Sequence, residues 1–298
     1  GAAVYDPSMM QAFAQIVGWD FVFTQEVTLR IPLVLTFIMA GITLLITTRF
    51  DEIVVSKPKE DPDPTCRDQV LCRHALIQAF QLTFRAGRWI LATPFAVVLI
   101  SAGVIFDSAA RMVVTLSSQY YRMIALPEAS FGLIGSGIAL LGVFLPRLAL
   151  KLSERYRPST NFFITASVIL TGLIGMTFFW PYFGLIPALV LFSAMYLTGF
   201  FVSHYLNQIT PSEQRATVLS FKGLAFNLAY AGVGIAYSAL LNIKRPAIQS
   251  LQPGPDSAAL ENLLFEQTFM VFPLGFVAIL LPWLILVRCR QRHTVQTP

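Results

Sequence analysis

Apolar residues fall along this chain in long unbroken runs, without the strict alternation of a half-exposed strand or the three-and-four spacing of a surface helix. Seven such runs stand out, near residues 31–48, 89–114, 131–150, 160–180, 183–205, 217–241 and 265–287. Roughly 20 apolar residues in helical conformation cross a 30 Å hydrocarbon core. Inside that core every backbone N–H and C=O must find a partner, which leaves helices or closed barrels. Continuous apolarity selects helices. A weaker candidate covers 8–24, where Asp20 interrupts the run. The pattern predicts an all-α integral membrane protein with seven to eight transmembrane helices.

Polar stretches separate these runs, and one of them is long. Residues 49–88 open with DEIVVSKPKEDPDPT, a charged and proline-rich stretch that predicts an extended linker. CRDQVLCRHALIQAFQLTFRAGRW then recovers helical spacing, with Leu71, Ala75, Ala79 and Leu82 on one stripe. Arg67, Arg73, Arg85 and Arg88 suit an interfacial helix leading into the membrane. Residues 242–264 contain PGPD and are expected to form an extracellular cap. Thr210, Pro211, Ser212 and Glu213 read as a capping box that starts a helix at Thr210. Its hydroxyl would cap the Glu213 N–H, and Pro211 sits where a missing N–H costs nothing.

Composition and charge add an orientation. Hydrophobic residues make up 55% of the 298 and charged residues 12%, against about 25% charged in soluble domains. Lys and Arg gather on the cytoplasmic side of short loops. Taking alternate loops, the 49–88, 147–157 and 205–222 regions and the tail hold 16, and the other side holds five. The 49–88 loop and the C-terminus are therefore expected in the cytoplasm, with the protein multi-pass in the plasma or inner membrane. The net charge of +5 is mostly this topology signal, so nucleic acid is not an expected partner. Cys66 and Cys72 fit neither a redox pair nor a zinc ribbon, and three cysteines are too few for a disulfide framework. No metal, cofactor or phosphate-binding motif is present. IGSG at 134–137 has Ile134 where an intramembrane serine protease needs Gly, so an enzyme is not expected.

NQITPSEQRATVLSFKGLAFNLAY, Asn207 to Tyr230, resembles the tenth-to-eleventh helix junction of the major facilitator superfamily, where an Asn, a Pro and an R-A-T/S-x-L-S sequence follow one another. YYRMIALPEASFGLIGSGIALLGVFLPRLALKLSERYRP resembles the end of the seventh helix, the eighth, and the loop after it. RIPLVLTFIMAGITLLI resembles a sixth helix running into the central loop, and GAAVYDP the loop before the fifth. The loop after the eighth-like helix lacks the family's glycine–aspartate signature and keeps only Glu154–Arg155. The resemblance implies a major-facilitator-like bundle in three parts. Residues 1–48 would be a remnant of the N-terminal bundle with one or two helices, 49–88 the cytoplasmic central loop, and 89–298 a complete C-terminal six-helix bundle with a short tail. The missing N-terminal helices would come from a full-length chain or a partner. It also implies secondary active transport of a small solute by alternating access, as a symporter or antiporter driven by a proton or sodium gradient. A truncated or degenerate transporter serving as a non-transporting membrane scaffold is the alternative.

Asp107 is the one acidic residue deep in a confident span, and Arg111 lies four residues on, on the same helical face. Thr115 and Ser118 extend the stripe. Two readings stay open: a substrate- or proton-linked pair lining the pathway, or an ion pair that only holds the outer helix end. Ser220, Gly223, Asn227, Tyr230, Gly234 and Ser238 recur at helical spacing, either for packing or with Asn227 and Tyr230 facing a central cavity. His204, Asn207 and Gln208 form a second polar cluster near the cytoplasmic end of the preceding span. His204 and Asn207 join Asp107, Arg111, Thr115, Asn227 and Tyr230 as pathway candidates, a structural histidine being the alternative for His204. Glu154, Arg155 and Arg215 lie on cytoplasmic loops that similar transporters use as an inside gate, and solvated surface charge explains them equally well.

Overall fold

The computed structural model describes residues 7–19, 25–48, 81, 83–251 and 257–295, and every regular element among them is a helix. The chain forms two compact units, Gly1–Ile77 with Pro127–Ser136, and Gln78–Leu126 with Gly137–Pro298. Cys66, Cys72 and most of the expected interfacial helix lie outside the described residues, and its end, from 83 on, is helical.

In the first unit, helix α1 spans Pro7–Val17 and α2 spans Gln25–Thr47. Eleven residues rise only about 16 Å, so α1 does not cross a bilayer. The expectation of a span over 8–24 is corrected accordingly. Gly18 ends the helix at φ 76°. Trp19 N–H donates to Ala14 O at 2.8 Å and Gly18 N–H to Gln15 O, a Schellman closure that any side chain with a Cβ would strain. In α2, Thr43 and Thr47 donate their hydroxyls one turn back, to Met39 O and Thr43 O, which keeps them silent in an apolar helix.

The second unit begins with α3, residues 83–92. It continues with α4 (Pro94–Thr115) and α5 (Ser117–Met123). Helices α6 (Phe131–Arg155, in this unit from Gly137), α7 (Pro158–Met176) and α8 (Leu185–Ile209) follow. The last are α9 (Arg215–Leu251), α10 (Ser257–Phe269) and α11 (Val271–Val295). Among the described residues, six stretches are long and apolar enough to cross a bilayer: Pro94–Thr115, Glu128–Arg155, Pro158–Met176, Leu185–Ile209, Ser212–Ser250 and Ala259–Cys289. These match the last six runs of the sequence. The seventh run, 31–48, is helical, with its apolar part at Leu33–Thr47.

Helix α8 is the hub of this unit. Its buried residues, among them Leu191, Phe192, Leu197, Phe201 and Leu206, occupy a broad arc of the helix, and Ser193, Phe200 and His204 on the remaining face are only half-buried. Phe201, Val202 and Tyr205 pack with Ala86 and Ile90 of α3, Leu99 of α4, and Val218 and Phe226 of α9. Helix α7 lies against α8 at Gly172, where a Cβ would come within 2.9 Å of the Leu191 backbone nitrogen. Asn161, fully buried at the start of α7, donates to Leu152 O and to the Tyr205 hydroxyl at 2.7 Å, tying α6, α7 and α8 together. At the far end Tyr120 of α5 stacks on Phe269 and donates to Gly184 O. Burial pushes the Tyr121 phenol up to about 12 and Tyr120 higher still, so both stay protonated.

One expectation about a helix end is corrected. The capping box does not form: Thr210 donates its hydroxyl back to Leu206 O as the end of α8, Ser212–Gln214 form a single 3-10 turn, and α9 begins at Arg215. A buried carbonyl at the end of α8 takes the hydroxyl that the capping box needed. Among the described residues, the stretch expected as an extracellular cap is helical over 242–251 and 257–264. Helix α9 runs on through Lys244, Arg245 and Pro246, and α10 packs against it through Ile248, Leu260 and Leu264. An ion pair of 2.8 Å joins Arg245 to Glu261. Charges that break an apolar run also suit a helix beyond the bilayer, where tertiary packing decides.

Candidate functional site

Helices α4 and α9 meet in a polar seam inside an otherwise apolar bundle. Gly103 permits the approach: a Cβ there would lie 2.5 Å from the Phe226 ring and 2.9 Å from Val202. One turn later comes Asp107, 5% exposed, and two turns later Arg111. Thirteen residues separate Pro94 from Asp107, about 20 Å along α4. That is beyond the midpoint of the 22-residue span and short of its end.

Arg111 organises the seam. One guanidinium nitrogen lies 2.8 and 3.0 Å from the two carboxylate oxygens of Asp107, and the other donates to Asn227 Oδ1 at 2.9 Å. The guanidinium also sits 5.7 Å from the centre of the Tyr230 ring. One turn on, the Thr115 and Tyr230 hydroxyls are 2.8 Å apart, while Thr115 also reaches Arg111 O. A step of four on α4 meets a step of three on α9, so the two helices run parallel. Farther along, Gln119 donates to Asn262 Oδ1 at 2.7 Å. The Asp107 side chain is almost enclosed, whereas a third of Arg111 remains exposed, so the seam presents its cationic side outward.

Five of the seven pathway residues expected from the sequence, Asp107, Arg111, Thr115, Asn227 and Tyr230, thus form one network. His204 and Asn207 are elsewhere. His204 stacks on Phe200 with centroids 5.3 Å apart, and its Nε2 lies 3.0 Å from the Gln208 amide nitrogen. Asn207, half-buried, neighbours them near the end of α8. The gate candidates are dispersed: Glu154 is exposed at the end of α6, Arg155 lies over the Tyr156 ring, and Arg215 donates to Thr210 O at 3.2 Å. None of these contacts joins two of the three.

One residue of the seam escaped the sequence reading, which counted Lys222 among cytoplasmic loop cations. Lys222 sits two turns inside α9, donates to Ser203 Oγ at 2.7 Å, and lies 5.6 Å from the Phe226 ring centre. Phe226, over which it lies, packs against Gly103, one turn before Asp107 on α4. The signal was present: Val218, Phe221, Leu224 and Phe226 surround it, and a cation within an apolar run needs a partner. The seam therefore holds two cations and one carboxylate.

The chain is similar in structure to a bacterial homolog of the human lysosomal transporter Spinster, crystallised in an inward-facing and unoccupied conformation. The TM-score is 0.59 at 15% identity, covering 94% of this chain. The chain shares the fold of that protein. The chain spans 64% of the length of that neighbour. No family model and no curated protein matches the sequence. The all-α, major-facilitator-like expectation is met, and the protein is a multi-pass membrane protein.

Proposed function

We propose that the protein takes part in secondary active transport of a small solute, with the α4–α9 seam lining the pathway and an ion gradient as the energy source. What carries this reading is the Asp107–Arg111–Asn227 network, a charged cluster linking two helices at membrane depth. Burying such charges is expensive, and a purely apolar contact would hold two helices as well. In alternating access two bundles rock about a site near the midplane, and groups with exchangeable partners sit at that site. Asp107 is the proton acceptor of the pair. Protonation removes its charge and frees Arg111, still held by Asn227, to take an anionic group of the solute. The gate residues Glu154, Arg155 and Arg215 and the polar pair His204 and Asn207 face the cytoplasmic end, and the C-terminus is cytoplasmic.

The test is flux. Proteoliposomes carrying a trapped pH dye are challenged with a panel of small organic acids, sugars and amines, under imposed proton or sodium gradients. The reading expects saturable, gradient-dependent flux with at least one solute, lost in Asp107→Asn protein that reconstitutes normally. Absence of saturable flux with every solute and both gradients would leave a membrane scaffold as the better account. Unchanged flux in Asp107→Asn would retire the pair as part of the pathway.

A further inference from the structure

A groove of about 610 Å³ opens between α4, α7 and α11, away from the polar seam. Its walls are apolar, with Phe95, Leu99, Phe163, Leu170, Leu280 and Trp283 among them. Trp283 is held in place by donating its indole N–H to Ser101 Oγ at 2.9 Å. Phe106 closes the deep end, packed 6.0 Å from the rings of Phe162 and Phe276.

The mouth is different in kind. It gathers Arg288, Ser159 and the first residues of two helices, Pro94 of α4 and Pro158 of α7. No side-chain cap closes either helix start. Their first-turn N–H groups add partial positive charge to that of the guanidinium. Arg288 forms no ion pair with a described residue. From Pro94 to Phe106, and again from Pro158 to Leu170, the wall is twelve residues long, about 18 Å of helix. Half of a bilayer's hydrocarbon is about 15 Å thick. The groove therefore has the depth of one leaflet, a positive mouth at the membrane surface and a greasy trench behind it.

Three occupants can be compared on this geometry. A free phosphate would use the mouth and leave the trench empty. A zwitterionic lipid would fill the trench but bring its own cation to Arg288. An apolar helix from a second copy would bury Arg288 without a counter-charge. We propose that the groove binds one acyl chain of an anionic phospholipid, with the phosphate seated between Arg288 and the N-termini of α4 and α7.

Native mass spectrometry of the whole protein tests this with phosphatidylglycerol, phosphatidylcholine and inorganic phosphate as separate probes. Phosphatidylglycerol adducts should survive activation that strips phosphatidylcholine, and inorganic phosphate should neither bind nor displace them. Arg288→Gln should weaken phosphatidylglycerol retention about fivefold, the worth of one arginine beside an anionic lipid. Ala166→Trp, which fills the trench, should weaken retention of both lipids. Arg288 is exposed where the apolar part of α11 ends, so Arg288→Gln tests the headgroup contact even where the tryptophan variant fails to fold. Equal retention of the two lipids, phosphatidylglycerol binding unaffected by Arg288→Gln, displacement by phosphate, or a dimer indifferent to lipid would each overturn the proposal.

Discussion

Arg111 serves Asp107 and Asn227 with one guanidinium while resting against Tyr230, and the planar fork makes this possible. A lysine carries its three donors on one nitrogen and lacks the two separated nitrogens through which Arg111 reaches Asp107 and Asn227. Arg111→Lys should therefore lose nearly as much solute flux as Arg111→Ala, with both variants reaching the membrane; flux close to wild type in the lysine variant would make the residue a simple counter-charge. Lys222 separates packing from function. A hydrogen bond across membrane helices averages only about 0.6 kcal/mol, so Lys222→Met should barely move the thermal midpoint in detergent while lowering flux severalfold. A large drop in midpoint with unchanged flux would make Lys222 structural. The fourfold spacing of Asp107, Arg111 and Thr115 was visible in the sequence, as was the polar face of Asn227 and Tyr230. That the two faces meet was not, because pairing between residues 116 apart is set by how whole helices pack. Lys222 was legible in principle and hidden by its nearness to the loop charges.

At the level of elements, small residues mark where helices touch, but not every small residue does so. Gly172 sits on the α7–α8 contact against the Leu191 backbone, whereas a Cβ at Gly137 meets nothing within 4 Å. Gly172→Leu should destabilise the protein by about 1–3 kcal/mol, the usual range for overpacking. Gly137→Leu should be near neutral, and thermal unfolding of the two in the same detergent decides it. In the sequence both glycines look alike, in apolar runs with small neighbours. Helix ends were the least legible part for a related reason. The extension of α9 past Lys244 depends on Ile248 finding Leu260 and Leu264, a tertiary contact that no local spacing announces.

For the whole molecule, the runs of apolar residues carried the architecture, since bilayer thickness leaves few alternatives. Counting Lys222 within its span leaves fifteen cations against five, so the charge bias still points to the expected orientation. With Cys66 and Cys72 changed to Ser, Cys289, which is exposed, is the thiol left for an impermeant maleimide in the protein. Labelling is expected only when the cytoplasmic face is open to the reagent. A cysteine placed at Glu261 should react from the opposite face, and labelling of Cys289 from outside intact cells would reverse the topology.

The tight meeting of α7 and α8 at Gly172 has a bearing on biogenesis. These two helices are separated by a connection of only eight residues, 177–184. Closing so short a loop costs little chain entropy. As the ribosome delivers them one after the other, this close joint of the bundle can be made between nearest neighbours in the chain, ahead of Arg215. A nascent hairpin then waits in the lipid as the template on which the later helices settle.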